Sequence, residues 1–278
     1  MLSYLVKIPI LKRLIPSFYK KYIFFFKRYK KTIIVDGIYF DLDLRHLIDR
    51  RFFFHKTYED ELFKPLSNII RKYEVDYFFD IGACWGVYSL RLGKKFNKLN
   101  IIAYDPIKKN IERLKNSIIK NKISNILASK IAIGDKKGVV ILGATETYSP
   151  NYEINETKAV ITEKCEINAL DNLHHNIKDK FIVIKIDTEG FEFEVLDGAK
   201  DLLRDHKPKF IQIEFNWHQL LKGQSLYNIS RLIDFSDVFK ILPYGDDLIE
   251  IDPSRPENNI YHLSNYVFIR KDISKKYK

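Results

Sequence analysis

The chain has 278 residues, of which 46% are hydrophobic, and 47 Lys or Arg against 36 Asp or Glu give it a formal net charge of +11. That length fits one large α/β domain or two small ones with a sizeable core. The charge sits at the ends: residues 1–32 hold nine basic residues and no acid, Arg270–Lys278 holds five against Asp272, and 33–269 holds 33 basic and 35 acidic residues. A near-neutral middle argues against a nucleic-acid substrate, which calls for a basic face.

The first 32 residues mix Lys and Arg with apolar side chains such as Leu5, Ile8, Phe18, Tyr22 and Phe24-Phe25-Phe26. No uninterrupted apolar run approaches the roughly 20 residues that span a bilayer, and no small-residue cleavage site follows the first apolar run. The arm suits an anionic membrane surface; the alternative is that its aromatics cover the core and its lysines are the solvated face. Pro9 and Pro16 are expected to break it into short pieces.

Next comes a predicted β-hairpin over Thr32–Leu44, turning at Asp36-Gly37. A helix from about Tyr58 to Lys72 follows, with Leu62, Leu66, Ile69 and Ile70 on its apolar face. Tyr58 and Glu59 open it, the acid favouring the helix dipole. Residues 33–75 form an N-terminal cap, and 76–270 form the core.

Tyr77-Phe78-Phe79 reads as a short buried strand that ends at Asp80 and breaks into Gly82-Ala83-Cys84-Trp85-Gly86 before a helix. Strand, glycine loop, helix presents backbone N–H groups to a nucleotide-like ligand, although a plain tight turn has the same outline. A second strand, Leu99–Asp105, ends in an acid nineteen residues beyond Gly86, near the spacing at which a carboxylate accepts ribose hydroxyls. That spacing alone does not separate a dinucleotide from S-adenosylmethionine. Pro106 then opens a helix where its missing N–H does no harm.

Asn125–Ile133 is expected as a third strand, Gly134–Gly138 as a turn, and Val139–Leu142 as a strand returning from it. Residues 143–162 read as a loop over the site, Glu163–Ala169 as a further strand, and Leu170–Leu173 as the start of a short helix. Phe181–Asp187 is apolar on nearly every position, as a central parallel strand should be. Thr188-Glu189-Gly190 leads into a helix, and Lys209–Asn216 is a strand with Glu214 near its end and His218 just beyond. Asp80, Asp105, Asp187 and Glu214 thus all fall at strand ends, on the rim where α/β sheets hold ligands. Tyr266–Arg270 is the last strand. The two cysteines, Cys84 and Cys165, lack metal-ligand spacing and suit a reducing compartment.

Three segments resemble the FkbM-type S-adenosylmethionine-dependent methyltransferases: Asp80-Ile-Gly-Ala-Cys-Trp-Gly86, Ala103-Tyr-Asp-Pro106, and Ile184-Lys-Ile-Asp-Thr-Glu-Gly-Phe-Glu192 with Leu196-Asp-Gly-Ala199. The last is the most specific. The resemblance implies a class I methyltransferase fold: a Rossmann-like α/β three-layer sandwich whose seven-stranded, mostly parallel sheet has an antiparallel last strand. It makes 33–278 a methyltransferase domain behind the 1–32 arm. It also implies S-adenosylmethionine as cofactor and O-methylation of a sugar, polyketide or other small metabolite. Cys84 stands where the family usually has Asn, and Asp105 where it usually has Glu.

On that basis Asp105 and Pro106 face the ribose, the Gly82, Ala83, Cys84 and Gly86 backbone takes the methionine end, and Asp80 orients that loop or the cofactor's amino group. Ala132 and Ile133 flank adenine. Asp187 is the leading general base, with Glu189, Glu214 and His218 behind it. The plainer alternatives are a capping carboxylate for Asp80, a helix-dipole acid for Glu189, no more than that for Glu192, and an ordinary histidine for His218. No metal signature is present. The composition, rich in Lys, Ile, Asn and Phe, points to an AT-rich bacterial genome, and a surface-polysaccharide sugar is the expected acceptor. The expected setting is the cytoplasm, with the arm at the inner membrane face. Three alternatives remain: an NAD-dependent oxidoreductase, which the absence of a third loop glycine disfavours, a non-catalytic membrane scaffold of a glycan-assembly complex, which the intact motif acids disfavour, and an RNA methyltransferase, which the near-neutral core disfavours.

Overall fold

A computed structural model describes residues 11–145, 152–154, 158–174, 177, 180–242, 248–259 and 262–277. The arm is not broken at Pro16: one helix, Leu11–Phe25, runs through it. Proline deletes one i→i−4 bond, and here it does so near the helix start, while the last turns are held by packing. Ile23 is fully buried, and the Tyr19 ring lies 5.5 Å from both Phe53 and Phe54. Pro9 lies outside the described residues.

Strands β1 (Lys30–Val35) and β2 (Ile38–Asp43) form the expected hairpin. Asp36 (φ 51°) and Gly37 (φ 73°) both take the positive φ of a two-residue hairpin loop. A helix that the sequence pattern did not announce, Leu47–His55, follows. Its aromatics favour strand in isolation, but Phe52 packs edge-on against Phe40 at 4.9 Å, and burial overrides propensity. The helix expected to open at Tyr58 runs instead from Asp60 to Tyr73, and it buries Leu62, Leu66, Ile69 and Ile70 as read.

The central sheet contains β3 (Tyr77–Ile81), β4 (Asn100–Asp105) and β5 (Ile126–Lys130). The strand expected over 125–133 breaks at Ile131. Its second half, β6 (Ala132–Ile133), leaves for a four-stranded sheet with β7 (Gly138–Ala144), β8 (Glu153–Ile154) and β9 (Ile161–Asn168), in the order β6-β9-β7-β8. Part of the expected loop over 143–162 therefore belongs to strands, and residues 146–151 and 155–157 lie outside the described set. The central sheet continues with β10 (Ile182–Ile186), β11 (Phe210–Phe215), β12 (Ser236–Ile241), β13 (Leu248–Ile251) and β14 (Ser264–Arg270).

Its order is β13-β12-β14-β11-β10-β3-β4-β5, with β5, β4, β3, β10 and β11 parallel to one another and β14 antiparallel between β11 and β12. The last strand is antiparallel as expected. The expected seven strands gain an eighth, β13, antiparallel on the β12 edge. Consecutive side chains of β3 go to opposite faces. Phe78 packs with Leu66 and Ile69, while Phe79 packs with Leu196 and Leu202. Both faces being covered, the strand ends are the surface left for a ligand.

Candidate active site

The loop after β3 is shaped by two close approaches. Gly82 has φ 78°, and a Cβ there would lie 1.7 Å from the Asp187 carbonyl oxygen, so only glycine lets β3 and β10 end side by side. The Asp187 N–H donates to the Ile81 carbonyl at 3.0 Å, which locks the two ends together. Gly86 (φ 85°) packs on Leu114 and begins the helix Val87–Lys95. Cys84 also sits at positive φ, 50°, a conformation asparagine adopts more readily than cysteine.

Four of the five loop N–H groups are already bonded within the protein, contrary to expectation. Gly82 and Ala83 both donate to the Tyr104 carbonyl at 2.9 Å, Gly86 donates to the Ala83 carbonyl, and Cys84 donates to Asp105 Oδ2 at 2.8 Å. These bonds hold the loop onto the end of β4. Gly82, Ala83 and Cys84 still line cavity walls, whereas Gly86 does not and serves packing alone.

Asp105 is buried, with Oδ1 accepting the N–H of Ile107 and Asn110 Nδ2 at 2.9 and 3.0 Å. Oδ2 takes the Cys84 N–H, which leaves a lone pair of that oxygen on the wall of a cavity of about 680 Å³. Burial pushes the Asp105 carboxyl up to about 7 against the pull of its three donors. Pro106 lines the same cavity but precedes the helix Lys108–Asn121, whose N-cap is Ile107, so it does not open the helix as expected. Ala132 and Ile133, carried away from the main sheet on β6, line the cavity as well.

At the end of β10, the Asp187 carboxylate accepts Lys185 Nζ at 2.8 Å. Lys185 is buried on the strand, with its ammonium 4.9 Å from the Tyr88 ring centre. Burial works against its charge, but Asp187, Asp80 and Glu59 outweigh burial and hold its pKa above the usual lysine range. Asp80 is buried and accepts the Ser89 hydroxyl at 2.6 Å; burial raises its pKa. Ser89 lies in the first turn of its helix, so the bond ties Asp80 to that helix's N-terminus, as a capping carboxylate would be.

The Thr188-Glu189-Gly190 turn is clamped from beneath. Glu192, expected to do no more than favour a helix terminus, is buried and accepts from the Thr188 N–H and hydroxyl at 2.8 and 3.0 Å and from Gln219 Nε2. Gln219 Oε1 in turn accepts the Asn216 N–H at 2.7 Å, and Asn216 Oδ1 accepts the His218 N–H at 2.9 Å. Gly190 (φ 97°) leaves room for His218, whose Cβ would lie 2.5 Å from an added Cβ. The clamp brings Glu189 Oε2 to 3.7 Å from His218 Nε2. Glu214 lies beside them, accepting Asn216 Nδ2 at 2.8 Å, and burial with the nearby charges of Asp187 and Glu189 pushes its carboxyl up to about 9.

The same cavity is thus lined by Asp105, Ala132 and Ile133 and by Asp187, Glu189, Glu214 and His218. Sequence reasoning missed Glu59 and Lys185. Lys185 was the one charge inside the most apolar strand of the chain, and that isolation was its signal. Glu59 carried none, since its place depends on contacts with Tyr88 from a distant helix. Among the described residues, no three His, Cys, Asp or Glu side chains gather as a metal site, and no helix is long and apolar enough to cross a membrane.

Comparison with known proteins follows the same lines. The family model for the methyltransferase FkbM domain matches residues 80–248, more than half of the chain. No curated protein matches the sequence. Among solved structures, the chain is similar to TYW2 of M. jannaschii in complex with AdoMet, at 14% identity over 87% of each chain with a TM-score of 0.44. It is also similar to a SAM-dependent methyltransferase from Agrobacterium tumefaciens, at 11% identity over 87% of this chain and 70% of that one, TM-score 0.47. Precorrin-6y C5,15-methyltransferase from Geobacter metallireducens gives 12% identity over 77% and 91%, TM-score 0.43.

Proposed function

The chain belongs to the FkbM methyltransferase family and is an S-adenosylmethionine-dependent methyltransferase; from that premise we propose that it methylates a hydroxyl of a small molecule or sugar. The observation that carries this reading is the single cavity lined both by Asp105, at the end of β4, and by the proton acceptors at the ends of β10 and β11. At about 680 Å³ it is within the roughly 300–1,000 Å³ of small-molecule sites.

The chain's residues fit the cofactor. Asp80 Oδ1 is buried without a hydrogen-bond partner and suits an ammonium; Asp105 keeps an acceptor position for a ribose hydroxyl; Ala132 and Ile133 give an apolar wall for adenine. When bound, S-adenosylmethionine supplies an electrophilic methyl group. The chain's part is to align the acceptor oxygen, exclude water and take the hydroxyl proton. Asp187, fixed by Lys185 and by its own clasp on β3, is the base we assign. Glu189 with His218 supports the acceptor from the next turn. Glu214, with its carboxyl near 9, is protonated at neutral pH and serves as a hydrogen-bond donor to the acceptor.

Besides Arg51 the cavity wall carries Glu59, Glu61, Asp187, Glu189 and Glu214, which disfavours a polyanionic nucleic acid. The composition keeps a bacterial surface-polysaccharide sugar as the leading acceptor. The exposed Leu14, Phe18 and Phe25 beside Lys20 and Lys21 support contact of the arm with a membrane surface; flotation with anionic vesicles, lost on deleting residues 1–28, tests that contact. The reaction is tested by incubating the protein with methyl-labelled S-adenosylmethionine and a panel of sugars. Label recovered as an alkali-stable O-methyl ether supports the proposal, and label found on nitrogen or carbon overturns it.

A further inference from the structure

The wall of the large cavity changes character from floor to mouth. Its carboxylates, Asp105, Asp187, Glu189 and Glu214 with Glu59 and Glu61, are buried or half-buried. Its largely exposed lining side chains, which mark where it opens, are Leu47, Arg51, Thr57, Trp217 and Leu263. Three of these are large and apolar. The helix Trp217–Leu221 continues that surface outward, with Leu220 and Leu221 55% and 72% exposed. Arg51 is the one Arg or Lys on the wall, and it makes no ion pair among the described residues. Scattered exposed apolar side chains need no explanation, but several at the mouth of an acidic cavity do. Trp with Arg is the pairing that suits a boundary between water and an apolar phase.

A second apolar surface adjoins the first. On the helix Leu11–Phe25, the side chains of Leu14, Phe18, Tyr22 and Phe25 recur along one stripe and are all exposed. The same helix rests Tyr19 on Phe53 and Phe54 of the helix Leu47–His55, which gives Leu47, Ile48, Arg51 and His55 to the cavity. One helix, roughly 10 Å across, thus stands between the arm and the cavity. Residues 1–32 carry nine basic residues and no acid. A second copy of the chain would set those charges against themselves, whereas an anionic bilayer neutralises them.

We propose that the cavity opens onto an anionic bilayer and that its acceptor is the sugar head of a lipid, joined to its apolar chain through a phosphate. The sugar enters the acidic interior, Leu47, Trp217 and Leu263 meet the apolar chain, and Arg51 pairs with the phosphate at the boundary. A single anionic group at the mouth fits a wall on which the carboxylates lie deeper. The inference rests on the cavity being the place where a hydroxyl is methylated.

The chain's two tryptophans report on the bilayer contact, since Trp85 is 4% exposed and Trp217 51%. Vesicles of phosphatidylglycerol and phosphatidylcholine with brominated acyl chains should quench the wild type and not Trp217→Phe, at lipid concentrations where both proteins float with the vesicles. Flotation without quenching, equal quenching of both proteins, or failure to float would overturn the proposal. The acceptor class is read with methyl-labelled S-adenosylmethionine and a panel of sugars. Each sugar is offered free, as its neutral dodecyl glycoside and as its dodecyl phosphodiester, the last two in unbrominated vesicles. The phosphodiester of the accepted sugar should be methylated about 10-fold faster than the free sugar at equal total concentration, because a shared surface raises the effective concentration. Arg51→Gln should cut its lead over the neutral glycoside about three- to tenfold. A free sugar methylated as fast as its lipid-borne forms would overturn the acceptor class. A wild type with no preference for the phosphodiester, or an Arg51→Gln variant that keeps the full preference, would overturn the phosphate. Label in none of the forms would remove the sugar reading beneath the inference, a failure the vesicle experiment does not share.

Discussion

Gly82→Ala is the substitution the site should tolerate least for its size. An alanine Cβ there lies 1.7 Å from the Asp187 carbonyl oxygen and 2.7 Å from its carbon, both backbone atoms. Relief requires β3 and β10 to part by more than an ångström at their ends. Two hydrogen bonds are at risk, Gly82 N–H to Tyr104 at 2.9 Å and Asp187 N–H to Ile81 at 3.0 Å. Each is worth about 1 kcal/mol net, and a non-glycine residue at φ 78° adds about 1–2 kcal/mol. The expected loss is therefore about 3–4 kcal/mol, a large part of the roughly 5–15 kcal/mol that holds a domain folded. Gly86→Ala is the control. It has the same backbone strain, but its Cβ meets Leu114 Cδ1 at 2.3 Å, the end of a side chain that can rotate. Its expected cost is about 1–2 kcal/mol. Urea unfolding of the two variants beside the wild type measures both. Equal losses, or a Gly82→Ala loss below about 1 kcal/mol, would refute the close approach of the two strands.

Asp105 sets a pH dependence for cofactor binding. Its carboxyl sits near 7 when the site is empty of ligand, and a ribose hydroxyl donates to the ionised form. Affinity for S-adenosylhomocysteine should therefore be flat above pH 8 and fall about tenfold per unit below pH 6; calorimetry across pH 5–9 checks this, and Asp105→Asn should flatten the curve. Glu214→Gln mimics the neutral carboxyl that prevails below pH 9, so its turnover at pH 7 should stay within about threefold of wild type, while Asp187→Asn should lose about 10²–10⁴-fold by removing the base. Glu192→Ala leaves the donors of Thr188 and Gln219 buried and unpaired, costing about 2–4 kcal/mol in urea unfolding.

What could be read from the chain was what is written in neighbouring residues. The strand, glycine turn and helix around Gly82 follow from an apolar run ending in flexible residues, and the acids at strand ends follow from where each apolar run stops. Functions that depend on partners far away in sequence were not legible. Glu59 is placed by Tyr88, Glu192 by Gln219, and the loop N–H groups are consumed by Tyr104 and Asp105. The helix Leu47–His55 was hidden for the same reason, since Phe52 and Phe54 are helical only because Phe40 and Tyr19 receive them. Strands β12 and β13 are short, and their pairing depends on β14, which arrives later in the chain.

The crystal structure of the protein with S-adenosylhomocysteine tests the assignment of this cavity most directly. The ligand should lie with its ribose diol on Asp105, its adenine against Ala132 and Ile133, its ammonium beside Asp80, and its sulfur facing Asp187 across open space. A ligand whose ribose makes no contact with Asp105, or whose sulfur points away from the Asp187, Glu189 and Glu214 rim, would contradict both the cofactor pose and the place assigned to the acceptor.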